Sequence, residues 1–192
     1  NTNDLNRDVA FTRLREHLPT WEEVRDAEGQ EVIDLIRSAG LANQKGPRIQ
    51  EALRLITQQR GRLELDFLAE WPVAEAKTWL SAINGVGPKT AAIVLLFSLN
   101  RPAFPVDTHV HRVTKRLGLI AQKTSREKAH SVLEDLTDPR DYYAFHINLI
   151  RHGREVCISR QPRCHACCLV DLCDFYAGRP VMLQLELDKR PL

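Results

Sequence analysis

All five cysteines of this 192-residue chain fall within residues 157–173, and four follow the spacing C-x6-C-x2-C-x5-C: Cys157, Cys164, Cys167 and Cys173. A secreted disulfide framework would spread its cysteines to close loops across the fold. Crowded together, they suit a metal ion or inorganic cluster in a reducing compartment. Zinc and [4Fe–4S] both accept four thiolates. Structural zinc sites more often use two short Cys pairs separated by a longer stretch. One C-x2-C flanked by single cysteines on longer arms favours the [4Fe–4S] cluster. Arg160, Arg163, His165 and Asp171, interleaved among the thiols, argue against a packed core, and the leftover Cys168 reads as a small buried residue. The arm from Ile158 to Arg163 would become a stiff loop presenting Arg160 and Arg163 outward, as candidate phosphate contacts.

A second group with chemical potential lies at Gly85-Val86-Gly87-Pro88-Lys89. The glycines permit a tight turn and close approach of another backbone, and Pro88 suits the first position of a helix. The first N–H groups of that helix lack internal partners and sit at its positive end, which makes a phosphate site needing no side chain. Lys89 opposes the helix dipole there. It contacts phosphate or water, or desolvation and the helix end depress its pKa so that a neutral amine can act as a nucleophile. Asp107, in Pro105-Val106-Asp107-Thr108-His109, is placed to cap the next helix. It can also reach Lys89: a helix over 89–99 rises about 16 Å, and the connection 100–106 spans up to about 23 Å.

These residues must be positioned by helices, because the apolar spacing is helical almost throughout. Leu5, Val9, Phe11 and Leu14 predict one helix ending near Pro19; Val32, Ile33, Leu35 and Ile36 predict another closed by Gly40. Ile49, Leu53 and Ile56 predict a helix starting at Gly46-Pro47, and residues 91–99 one buried on most sides. Val110, Val113 and Leu117 mark a helix stopped at Gly118, and residues 142–150 the last long one. No strand alternation is visible, so the fold class is all-α. Residues 178–192 lack periodicity and are expected to be disordered. The chain opens Asn1-Thr2-Asn3-Asp4 without an initiator Met, which suggests a missing N-terminus. No apolar run is long enough to span a membrane. Net charge is only +2, but residues 101–163 hold 12 Lys/Arg against 7 Asp/Glu, an excess of +5 that suits a phosphate-binding face.

Together these elements resemble the endonuclease III family of helix-hairpin-helix DNA glycosylases. The resemblance rests on Ile83-Asn84-Gly85-Val86-Gly87-Pro88-Lys89-Thr90-Ala91, on Val106-Asp107-Thr108-His109-Val110, on His152-Gly153-Arg154, on Pro162-Arg163-Cys164 and on the cysteine spacing. It covers residues 1 to about 176. Asn84 stands where the family has proline, and the family has a Gln-bearing loop upstream of Asn1. The resemblance implies two helical domains with a cleft between them: a six-helix barrel with the hairpin over residues 1–101, and an iron–sulfur cluster domain over 102–192. It implies Lys89 as nucleophile and Asp107 as essential carboxylate. Gly85, Val86, Gly87, Arg160 and Arg163 would bind DNA, and Cys157, Cys164, Cys167 and Cys173 would ligate a [4Fe–4S] cluster. The implied activity is a bifunctional glycosylase and AP lyase that acts on oxidised pyrimidines in duplex DNA and cuts by β-elimination. The protein would be a monomer in the cytoplasm, at a bacterial or archaeal nucleoid. The alternatives are a monofunctional, pyrimidine-dimer or mismatch glycosylase, a non-catalytic iron–sulfur DNA-binding protein, and an electron carrier.

Overall fold

The computed structural model describes residues 4–178, and the tail expected to be disordered lies outside them beyond Gly178. Nine α-helices occur among the described residues, with no strand: α1 (Asp4–His17), α2 (Trp21–Asp26), α3 (Gly29–Leu35), α4 (Ala42–Arg60), α5 (Val73–Ser81), α6 (Pro88–Ile93), α7 (Thr108–Leu117), α8 (Arg126–Leu136) and α9 (Tyr142–Glu155). None is long and apolar enough to cross a membrane. The chain divides into two compact units, residues 1–70 with 78–86, and residues 71–77 with 87–192.

In the first unit, Ala10, Leu14, Val24, Val32, Leu35 and Ile36 form the core. The first helix forms as its spacing predicts, but Leu5, Val9 and Phe11 are exposed and Ala10 and Leu14 are its inward face. A capping box starts α2: Thr20 accepts from the Glu23 amide, and the Glu23 carboxylate accepts from the Thr20 amide. The helix expected to begin at Gly46-Pro47 begins instead at Ala42, with Pro47 inside it. Gly46 lies against Ile33, where an added Cβ would stand 2.8 Å from Cγ1, so this glycine serves packing and does not start the helix.

The second unit packs Leu96, Phe104, Val106, Val110, Val113, Ile120, Leu133, Tyr142 and Leu149 into one core. Asp107 caps α7, and Gly118 ends it in the left-handed conformation at φ 81°. Helix α9 lies against α7 at Gly153, where a Cβ would stand 2.9 Å from that of His109. The apolar stretch after Lys89 is not one regular α-helix. It widens into a π-helical turn over Val94–Ser98, and Phe97 at 41% exposure escapes burial.

Candidate functional site

Helix α5 ends at Ser81, and the chain turns through Ile83 to Gly87 before α6 begins. In the first unit, Gly85 adopts φ +86°, and the stem of Arg48 occupies the space a side chain would need, with Cδ 2.8 Å from the ideal Cβ. Asn84 Nδ2 donates to Glu51 Oε2 at 3.0 Å, which ties the turn to α4. The second unit resumes at Gly87, which caps α6 with no side-chain bond and leaves Pro88 as the first helical residue. A Cβ on Gly87 would meet no atom within 4 Å, and its φ of −90° suits any residue. Packing within the chain therefore gives no reason for a glycine there. Lys89 follows on an exposed surface, so the desolvation expected of its ammonium is not supplied by this chain alone.

Asp107 is half-buried at the start of α7, and its Oδ1 accepts from the Val110 amide at 2.7 Å. The extended strap before it, Ala103 to Val106, is buried. Its backbone has no helix or sheet to satisfy it: the Ala103 amide donates to the Arg101 carbonyl at 2.9 Å, and side chains bond Phe104 and Pro105. The Phe104 amide donates to Glu134 Oε1 at 2.8 Å, and Glu134 is paired with Lys77. His130 Nδ1 lies 2.7 Å from the Phe104 carbonyl, and His146 Nδ1 lies 2.9 Å from that of Pro105. A carbonyl only accepts, so both imidazoles carry their proton on Nδ1. Burial holds the pKa of each below the ordinary histidine value. At His146, the Asp107 carboxylate favours the charged form and the Lys89 ammonium opposes it, so both groups lie within electrostatic reach of this one ring. Neither histidine is picked out by any short sequence motif; only the fold aims them at the strap.

The cysteines form the second cluster of the same unit. Cys157, Cys164, Cys167 and Cys173 line one pocket, with Val113, Leu117, His152, Val156 and Pro162 among its walls. Arg116 of α7 spans the group. It donates to Cys157 Sγ at 3.3 Å, to the Ile158 carbonyl at 2.8 Å and to the Ser159 carbonyl at 2.7 Å, and its guanidinium stacks on Phe175 at 4.8 Å. Arg112 donates to the Cys157 and Gly153 carbonyls at 3.1 and 2.8 Å. Burial pushes the Cys167 thiol up, and the neighbouring cysteines add to it. Thiols gathered in this way can ligate a positive centre on losing their protons. Among the described residues, no three His, Cys, Asp or Glu groups are placed to hold a single metal ion. Four thiols around one largely apolar pocket are the ligand type that both a polynuclear iron–sulfur centre and zinc accept. Arg160 and Arg163 are exposed. Cys168 is exposed too, contrary to the buried role expected of it.

Comparison with known proteins matches residues 1–139 to the family described as HhH-GPD superfamily base excision DNA repair protein. An Arabidopsis thaliana protein that carries a provisional DNA-glycosylase name (At3g47830) is 37% identical over 154 residues, or 80% of this chain, which spans about half (53%) of that relative. Endonuclease III of Sulfolobus acidocaldarius is 33% identical over 178 residues, covering 92% of this chain and 77% of the relative. A trapped endonuclease III–DNA covalent intermediate superposes with a TM-score of 0.80 at 29% identity, over 92% of this chain and 79% of the other.

Proposed function

Since the chain belongs to the HhH-GPD superfamily of base excision DNA repair proteins, we propose that it is a bifunctional DNA glycosylase and AP lyase that acts on oxidised pyrimidines in duplex DNA. The observation that carries this reading is the placement of Lys89 and Asp107 in one unit. They stand at the starts of two successive helices of one unit, with both charges felt at His146. Its similarity to an endonuclease III solved as a covalent DNA intermediate supports a nucleophilic mechanism.

In this mechanism the damaged base leaves the stack, at a cost of a few kcal/mol that damage reduces. Bound DNA covers the exposed Lys89 and supplies the desolvation that favours its neutral amine. Lys89 Nζ forms a bond to C1′ as the glycosidic bond breaks, and the base departs with the bonding electron pair and takes up a proton. Asp107 assists removal of the lysine proton and stabilises positive charge on the sugar. Ring opening gives an imine between Nζ and C1′. Loss of a C2′ proton then expels the 3′ phosphate, and water releases the enzyme. Phosphates are held by hairpin amides around Gly85, Val86 and Gly87, where the open space at Gly87 leaves room for close approach, and by Arg160 and Arg163.

Cys157, Cys164, Cys167 and Cys173 would hold the [4Fe–4S] cluster, which supplies a redox-capable inorganic centre joining four points of the chain. The arm with Arg160 and Arg163 is then fixed between its first two ligands. The test is a panel of duplexes, each with one defined lesion. Strand scission at an oxidised pyrimidine supports the proposal. Base release without scission favours a monofunctional enzyme, and binding with neither favours a non-catalytic DNA-binding protein.

A further inference from the structure

The strap that delivers Asp107 presents a problem that sequence motifs do not solve. Residues 103–106 are buried, yet they belong to no helix, and Pro105 removes one backbone donor. Their carbonyls need partners that cannot come from the local chain. Two helices supply them: α8 sends His130 to Phe104, and α9 sends His146 to Pro105. The Pro105 carbonyl is two residues from Asp107, whose carboxylate is itself fixed on the Val110 amide. His146 is 2% exposed and meets Phe97 and Phe104 edge to face, with ring centres 5.7 and 6.1 Å away. Its ring therefore has little freedom, and its proton is committed to the carbonyl.

We infer that His146, with His130 behind it, is a positioning residue: its Nδ1–H bond to the Pro105 carbonyl fixes the strap and thereby the place of the Asp107 carboxylate. This deepens the lyase reading and rests on it for its kinetic consequence. The role demands a hydrogen-bond donor at the δ position of the side chain and does not demand an imidazole. Asparagine offers such a donor; leucine fills nearly the same volume and offers none.

The experiment compares His146→Leu and His146→Asn in the full chain. It follows single-turnover borohydride trapping on abasic duplex, DNA affinity, melting temperature and hydrogen exchange of the Val110 amide. His146→Leu should trap about 10- to 100-fold more slowly, the loss that follows from a catalytic group displaced by about 1 Å. DNA affinity should stay within about two-fold, because the strap contacts no phosphate in the proposed complex. The Val110 amide should exchange faster as the Asp107 cap loosens. His146→Asn should trap within several-fold of the wild type and keep slow Val110 exchange, although it surrenders more ring packing and melts lower. Rates that order the two variants oppositely to their melting temperatures are the signature of positioning. Rates that track melting temperature, or an unchanged Val110 amide in His146→Leu, would overturn the inference. If the wild type itself traps nothing, the lyase reading fails, and Val110 exchange alone still decides whether His146 holds the strap.

Discussion

Replacing Asp107 by asparagine and by alanine separates two roles that one carboxylate performs. In the structure Asp107 caps α7 by accepting from Val110 at 2.7 Å, and the same group is proposed to stabilise the cationic sugar. An asparagine oxygen can take over the cap and loses only the favourable charge at the helix start, about 0.5 kcal/mol. Alanine loses both, about 1.5 kcal/mol. For a chain of 192 residues, these correspond to about 1–2 °C and about 3–6 °C in melting temperature. Catalysis should not follow that order. Removing a preorganised charge from the reacting centre costs about 10²- to 10³-fold in rate, and both variants remove it completely. Thermal melting and single-turnover base release, measured on the same preparations, should therefore show two variants of unequal stability and nearly equal, strongly reduced rates. An asparagine variant that releases base at the wild-type rate would leave Asp107 with the capping role alone. Rates falling in proportion to stability would refute the argument as well.

Three further outcomes follow from other parts of the molecule. Protein purified without oxygen should be yellow-brown and carry about four irons per chain; stoichiometric zinc without visible absorption would contradict the polynuclear reading of the pocket. Arg160→Ala or Arg163→Ala should each reduce the slope of log affinity against log salt by about 0.9 if that side chain neutralises one phosphate, and an unchanged slope in both removes the cysteine arm from the interface. Burial lowers the pKa of both His130 and His146. The unfolded chain, titrating near pH 6.5, then binds protons that the fold refuses. Stability should be full above about pH 6.5 and fall as the pH drops below it. A melting temperature that rises on acidification between pH 7 and 5 would contradict this, and removing either imidazole should flatten the decline.

Much of the site was legible because its residues sit in local patterns. Gly85, Pro88, Lys89 and Asp107 occupy turn, first-turn and cap positions that short-range backbone chemistry dictates, and the structure uses Pro88 and Asp107 in those places. The four cysteines could be grouped by spacing alone, and they do line one pocket. What escaped depends on contacts between distant segments. His130 and His146 reach residues 26 and 41 positions away, and Arg116 reaches across 41 positions to Cys157. No periodicity encodes such pairings. The sequence signals of α2 and α8 are local caps, the Thr20–Glu23 box and Ser125, and not an apolar period. Pro47 misled because proline usually marks a first turn, and here it lies within α4.

The most direct measurement of the central claim is borohydride trapping by the wild type and Lys89→Gln, on duplex containing an oxidised pyrimidine or an abasic site. The wild type should form a covalent protein–DNA adduct, because an imine between Lys89 and C1′ is reduced to a stable amine. Lys89→Gln should form none while keeping most of its DNA affinity, since the hairpin is proposed to grip phosphate through backbone N–H groups. Efficient trapping by Lys89→Gln would assign the nucleophile to another residue and contradict the account.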